Sequence, residues 1–420
     1  MNEKLFFQAI LGLKAPWFVE RVELKSSENR VDIWLNHEAG IQVACPECGE
    51  FHGLYDHGEE RIFHHLRTCQ MDTFIHVRLP RGKCPQHGVR QVASEFGENG
   101  SDMTYAFESH VLALAKECSV EAVGCLCGIS WDQCWNAVER GVGRGQKRKP
   151  HRCPKRIGVD EKSFGKGQRY ETLVYDIDRR AVDFVCDDRK QESLEVYYRQ
   201  FTPAERSGVE VVAMDMWDPY IAATKAWIPE ADRKIVFDHF HAMRYMLLAV
   251  DKVRKQEHYA LRENGDETLK GSKYLWLWSR ENVPEYRKGE FERLRNKDLQ
   301  VCRAWAIKEN LRHLWDYRYE GSMRKYFAKW YWWATHSRLA PVIRAARTLK
   351  DHLANIVTYA RHQVTNALAE GLNSRIEKVK RMACGFRNRE HYKTAIYFHC
   401  GGLDLCPKPP QTPSLRWRMA

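Results

Sequence analysis

The apolar residues of this chain change their spacing in successive blocks, so neither one sheet nor one helical bundle can accommodate all of it. Phe18–Leu24 and Val31–Leu35 alternate with period two around a Ser26-Ser27-Glu28-Asn29 turn, which predicts a β-rich region over 1–100. Residues 102–142 switch to helical spacing, with Phe107, Val111, Leu114 and Ala115 on one stripe and Val120, Val123, Leu126 and Ile129 on another. From Ile157, three hairpin-connected strands are followed by helix, strand, helix and strand, the order of a small mixed sheet with helices on its faces. Between about Ala242 and Arg361 no strand pattern occurs, and the tryptophans there are expected mostly in a helical core. A chain of 420 residues, 44% hydrophobic and 12% aromatic, is long enough for two or three domains and excludes wholesale disorder. No apolar run approaches the roughly 18 residues that span a bilayer. The short Leu5–Leu11 stretch lacks a cleavage site and reads as the first turns of the domain. A soluble, cytoplasmic protein is expected, and a net charge of +12 suggests a polyanionic partner.

Two short segments carry metal-ligand spacing, Cys45-Pro46-Glu47-Cys48-Gly49 and Cys84-Pro85-Gln86-His87-Gly88. In each, a two-residue gap followed by glycine turns both side chains toward one ion. Together Cys45, Cys48, Cys84 and His87 offer the four ligands of a closed, structural Zn²⁺ site. His52, His57, His64 and His65 are alternatives for the fourth ligand. The other cysteines are mostly scattered singly, as small buried hydrophobes.

Ser119–Gly124, the Gly128-Ile129-Ser130 turn and Trp131–Arg140 have the spacing of a helix-turn-helix, with Ser130 and Gln133 as a capping box. Behind it, Gly141–Arg156 holds seven basic residues and no acidic one. Trp131, Gln133, Arg140, Arg144, Lys147, Arg148 and Lys149 are therefore candidate DNA contacts.

Asp160 ends the first strand of the α/β block and Asp215 the fourth. If those strands are neighbours, both carboxylates emerge at one sheet edge. A third candidate, Glu370, shares a helix face with Asn373 and Glu377 and precedes the basic residues Arg375, Lys378, Lys380, Arg381 and Arg387. Three such carboxylates could hold two Mg²⁺ (or Mn²⁺) ions to activate a water or 3′-hydroxyl against a phosphodiester. Asp218 and Glu161 compete with their neighbours for these roles. Asp238 and His241, in Asp238-His239-Phe240-His241, are read as supporting residues, as is Asn373.

These segments, in order, resemble the ISL-three family of bacterial insertion-sequence transposases. The similarity is carried by Cys45–Gly49, Ile157–Glu161 with Tyr170-Glu171-Thr172, Met214-Asp215-Met216, Val236–His241, Leu269-Lys270-Gly271, Thr365–Asn373 and Arg381–Asn388. In that family the second knuckle is usually Cys-x-x-x-x-Cys, where this chain has Cys84-Pro85-Gln86-His87. The resemblance implies a ribonuclease-H-like DDE core with a large all-α insertion, and matching motif to motif sets the triad on Asp160, Asp215 and Glu370. The expected organisation is a zinc-binding domain at 1–100, helix-turn-helix at 101–143 and basic linker at 144–156. A core follows at 157–241 and 362–406 around a helical insertion at 242–361, with a flexible tail at 407–420. The implied protein is nucleoid-associated, binds terminal inverted repeats and target DNA as a homo-oligomer, and cleaves and joins DNA ends. A DNA-binding regulator with an inactive core and a structure-specific nuclease are the alternatives.

Overall fold

The computed structural model describes residues 3–165, 169–364, 367–408 and 417–419. Thr365 and Asn366 of the Thr365–Asn373 segment, and 409–416 of the expected tail, lie outside them. The chain divides into two compact units: Met1–Pro150 with Lys378–His399 and Leu403–Ala420, and His151–Glu377 with Cys400–Gly402. The expected second core segment, 362–406, is thus shared between the units rather than belonging to one.

In the first unit the strands are β1 (Trp17–Lys25), β2 (Arg30–His37), β3 (Ile41–Ala44), β4 (Phe51–Thr68), β5 (Met71–Cys84) and β6 (Gly88–Gln91). β1 and β2 form the expected hairpin, and β2 continues the sheet by pairing parallel to β5. β4 returns antiparallel along β5, and β3 extends the sheet beyond β4. The alternating residues Trp17, Ile33, Phe63, Ile75 and Val77 make its core. A strand at Trp417–Met419, within the expected tail, pairs antiparallel with β3.

Three helices follow: α1 (Tyr105–Glu117), α2 (Val120–Cys127) and α3 (Trp131–Arg148). Their starts are written in the sequence, since Thr104, Ser119 and Ser130 each accept a backbone N–H from the first turn. Ser130 and Gln133 form the expected reciprocal capping box. Phe107, Val111, Trp135 and Val138 pack with Val379, Ala395 and Phe398 from the chain's later helices, which is why 378–399 joins this unit. α3 does not stop near Arg140 but runs to Arg148, so the first part of the expected linker is helical. Ser130→Ala should cost about 1 kcal/mol of this unit's stability, read as a lower urea midpoint with unchanged slope.

The second unit is built on β7 (Arg156–Gly165), β8 (Arg169–Asp176), β9 (Ala181–Asp187), β10 (Val211–Met214) and β11 (Ile235–Phe237), in the order β11-β10-β7-β8-β9. β8 is antiparallel to β7 and β9, whereas β10 is parallel to both β7 and β11. Helices Gln191–Tyr198 and Asp218–Trp227 connect the strands. From His239–Glu263 to Tyr359–His362 the described residues contain helices and no strand, starting three residues before the expected Ala242. Ile157, Val212 and Phe237 of the sheet share one apolar core with Trp276, Trp330 and Leu349 of these helices. Trp305 is buried there as well, whereas Trp332 is exposed.

Candidate active site and metal knuckle

The two knuckles close the ends of two antiparallel pairs. Cys45 and Cys48 stand in the turn from β3 to β4, and Cys84 and His87 in the turn from β5 to β6. Gly49 and Gly88 take φ of +76° and +71°, the left-handed conformation in which a side chain would be strained. The four ligand atoms lie within 4.8 Å of one another. Cys48 Sγ is 3.7 Å from Cys84 Sγ, and His87 Nδ1 is 3.5 Å from Cys84 Sγ and 3.7 Å from Cys45 Sγ. Zinc–ligand bonds of about 2.3 Å to sulfur and about 2.0–2.1 Å to nitrogen give tetrahedral edges of roughly 3.8 Å and 3.5 Å, so the donor set fits Zn²⁺. Burial pushes the Cys84 thiol up, but the backbone N–H groups of His87 and Gln86 outweigh it and bring it to about 6, favouring the thiolate a metal needs. Of the alternative histidines, His57 instead meets His37, His64 stacks on Phe74, and His65 meets Thr104. His52 belongs to a second group with Cys48 and Glu50.

The carboxylates of the second unit are brought together by strand register. β10 pairs with β7 as Val211↔Arg156, Val212↔Ile157 and Ala213↔Gly158, and two residues further the same offset sets Asp215 opposite Asp160. β10 pairs with β11 as Met214↔Phe237, so the next step sets Asp238 beside Asp215. Asp160, Glu161, Asp215, Tyr220, His241 and Arg244 line one cavity of about 250 Å³. Asp160 Oδ1 accepts the Glu161 backbone N–H at 2.7 Å, and Oδ2 accepts the Asn373 amide at 2.5 Å. Asn373 Oδ1 in turn accepts the Tyr175 hydroxyl at 2.9 Å.

The electrostatics of this cavity are strained. Burial, then the negative charge of Asp215, pushes Asp160 up to about 6 against the stabilising Glu161, Asn373 and His241 contacts. Burial pulls His241 down, but the Asp215 and Asp238 carboxylates outweigh it and raise it to about 10. His241 Nδ1 lies 2.6 Å from Asp215 Oδ1 and 3.4 Å from Asp238 Oδ2. Even so, the buried Asp215 Oδ1 accepts no aligned hydrogen bond. Crowded, hard oxygen ligands with one imidazolium for countercharge suit a divalent cation such as Mg²⁺ or Mn²⁺.

Asp238, His241 and Asn373, read from sequence as supporting, all contact this pair or each other. Glu370 is exposed and is not among the residues lining the cavity. Among the described residues, no third ligand atom joins Asp160 and Asp215 in a group within 4.8 Å. Glu377 pairs with Lys162 at 3.0 Å. Two further residues stand here: Arg244, on the helix His239–Glu263, and Arg189, in a loop, which lies on the Glu161 carboxylate at 3.3 Å; a single arginine carries no periodic signal in the sequence.

Several basic residues expected to meet DNA are turned inward. Glu108 is 1% exposed, and a buried carboxylate requires partners. Arg140 and Arg144 each approach it to 2.8 Å, and Arg144 also reaches Glu98. Arg148 bonds the carbonyls of Asp404 and Cys406, and the Gln133 amide bonds Asp102. Trp131 is exposed and stacks on Trp135 at 5.6 Å. Lys147, Arg375, Lys378, Arg381 and Arg387 are exposed, and Lys149 and Lys380 half-buried.

Residues 157–396 match the profile of a transposase family, the ISL3 type of DDE transposase, and residues 41–87 match the zinc-finger of transposase IS204/IS1001/IS1096/IS1165. The chain is similar to the transposase for insertion sequence element IS1001 of Bordetella parapertussis, 26% identical over 380 residues, covering 89% of this chain and 93% of that protein. It is also similar to the transposase for insertion sequence element IS1557 of Mycobacterium tuberculosis, 25% identical over 417 residues, covering 92% of this chain and 93% of that one. No helix among the described residues is long and apolar enough to cross a membrane. With more than half its length matched by that family and both metal-ligand constellations inside the matched regions, the chain belongs to the ISL3 family of insertion-sequence transposases.

Proposed function

We propose that this transposase binds the terminal inverted repeats of its element, cuts the DNA ends at the Asp160–Asp215 cavity, and joins them to target DNA. The observation carrying this reading is the pair of level carboxylates on adjacent parallel strands, with a raised Asp160 and an Asp215 held by His241 in one cavity. The strand order, with three antiparallel strands followed by two parallel ones, supports a ribonuclease-H-like core. Glu370 is the third carboxylate in this reading. It lies one helical turn before Asn373, which bonds Asp160, and the i, i+3 spacing sets the two on one side of that helix.

When bound, Mg²⁺ or Mn²⁺ supplies Lewis-acid polarisation of the scissile phosphate and activation of the attacking oxygen. Asp160 and Asp215 hold that charge, Asn373 and the Glu161 N–H fix the orientation of Asp160, and Asp238 with His241 fixes Asp215. Zn²⁺ at Cys45, Cys48, Cys84 and His87 has a structural role. DNA contacts fall to Trp131, Lys147, Lys149 and the basic residues 375–387, since Arg140 and Arg144 are committed to Glu108. Homo-oligomerisation on paired DNA ends and residence with the bacterial chromosome belong to the same reading. Incubation of the full chain with inverted-repeat DNA in Mg²⁺ tests it: end nicking and joined products are expected, and their absence in Mg²⁺ and Mn²⁺ overturns it.

The raised groups also predict a pH dependence. Asp160, moved from 3.8 to about 6, favours its neutral form in the fold, so the metal-free protein loses stability as pH rises through that interval. The loss is at most ~3 kcal/mol at 1.36 kcal/mol per unit. His241, raised from 6.5 to about 10, adds a second loss as pH rises through that higher window. Mg²⁺ requires the ionised carboxylate, so its upward shift of Tm should be larger near pH ~7.5 than near pH ~5. Differential scanning fluorimetry with and without Mg²⁺ reads this directly, and equal shifts at both values count against it.

A further inference from the structure

A second cleft, of about 570 Å³, opens beside the carboxylate cavity and shares Trp217 with it. Its wall is Arg189. The guanidinium is sandwiched between the Tyr170 ring at 4.4 Å and the Trp217 ring at 4.8 Å. Nη1 lies 3.3 Å from both oxygens of Glu161, the residue after Asp160. The backbone beneath it is clamped: Trp217 Nε1 donates to the Arg189 carbonyl at 3.0 Å, and the Asp188 N–H donates to the Tyr170 carbonyl at 2.9 Å. Asp188 takes φ of +63°, a conformation that non-glycine residues adopt only where the surroundings hold it. Among the described residues, Nε and Nη2 donate to no acceptor, although the side chain is only one-third exposed.

Two rings lie against this guanidinium, one nitrogen is tied off, and Arg189 lines a cleft that shares Trp217 with the carboxylate cavity. A planar fork of that kind matches two oxygens of a phosphate. We propose that Arg189 grips a backbone phosphate of the DNA strand being cut, next to the scissile one, with Tyr170 and Trp217 holding the fork in register. The proposal rests on the reading of Asp160 and Asp215 as the cutting site and adds a phosphate-binding residue to it. Trp217 supplies the physical link, because its backbone N–H bonds the Asp215 carbonyl at 2.8 Å, so the grip is coupled to the carboxylate that faces the scissile group.

The test pairs Arg189 variants with end DNA in which single phosphates near the cut are replaced by neutral methylphosphonates. Binding is read by fluorescence anisotropy without divalent metal, and cleavage in Mg²⁺. With the unaltered protein, one neutral linkage adjacent to the scissile phosphate should weaken binding by about tenfold, as expected for one lost charge-assisted contact. In Arg189→Ala, binding should already be weaker by about that factor, with no further loss from that linkage and a salt slope smaller by about one. Arg189→Lys, which keeps charge without the fork, should recover only part of the binding, and its penalty from that linkage should shrink. Should Arg189→Ala fail to fold, as judged by circular dichroism, the Arg189→Lys comparison decides alone. A methylphosphonate profile unchanged by either variant overturns the proposal. An unaltered protein that shows the linkage penalty but cuts nothing in Mg²⁺ or Mn²⁺ overturns the cutting function instead, and leaves the grip standing.

Discussion

Asp160→Ala, Asp215→Ala and Glu370→Ala are each expected to abolish end cleavage and strand transfer while leaving inverted-repeat binding in place. Phosphodiester transfer asks little covalent work of a protein, and the stabilisation comes from charge held at the reacting oxygens. Removing a carboxylate that holds such charge forfeits several kcal/mol, which at 1.36 kcal/mol per decade is a loss of about a thousandfold or more. Asp160 and Asp215 have the clearest geometric standing, because register sets them level and both line the cavity. Glu370 is the discriminating case. Its helix bonds Asp160 through Asn373, yet its own side chain is exposed. If Glu370→Ala retains cleavage while Asp238→Ala loses it, the third carboxylate is Asp238, which β11 sets beside Asp215. Glu377→Ala and Asp218→Ala are the comparison variants: Glu377 is paired with Lys162, and Asp218 starts a helix outside the carboxylate cavity. Binding, read by gel shift, should stay within about twofold for all of them, since removing negative charge near phosphates does not weaken attraction.

Removal of zinc should have the largest effect on folding. The knuckle end of the first unit is held by a small apolar cluster of Ile41, Val43 and Val92, whereas the other end rests on Trp17, Ile33, Phe63 and Ile75. Structural zinc sites contribute binding free energy of order 10 kcal/mol to folding, more than so small a cluster can replace. Chelation, or Cys84→Ala, should therefore release about one zinc per chain and strip hydrogen-exchange protection from 41–54 and 80–91. Protection of β1 and β2 should persist, because their core does not depend on the knuckle. Metal analysis with exchange mass spectrometry reads both halves. Full protection of 41–54 in zinc-free protein would show that the four ligands close the turn without an ion.

What was legible in the sequence is what short-range chemistry writes. The knuckles, the caps at Thr104, Ser119 and Ser130, the β1–β2 hairpin and the strand order from β7 to β11 each depend on residues a few positions apart. Even the meeting of Asp160 and Asp215 followed from local pattern, once helix–strand units oblige the fourth strand to lie parallel beside the first.

Two of the basic residues expected at DNA are paired within the protein, for a physical reason. A run without acids reads as a free cationic arm, but Glu108, 36 positions before Arg144, is buried and draws Arg140 and Arg144 inward. A buried charge takes its partners from wherever the fold brings them, and sequence distance does not register that. The same holds for His241 on Asp215, for Asn373 on Asp160 and for Arg189 between two rings. By itself the sequence determined the metal-ligand turns and the two carboxylates on neighbouring strands, because period, capping and turn conformation are local; it ended the first strand at Asp160, however, whereas β7 runs on to Gly165 and Asp160 stands mid-strand. Only the tertiary structure decided which cations are paired internally and which groups hold the carboxylates, because desolvation and charge pairing act through space between distant segments, as between Asn373 and Asp160, 213 residues apart.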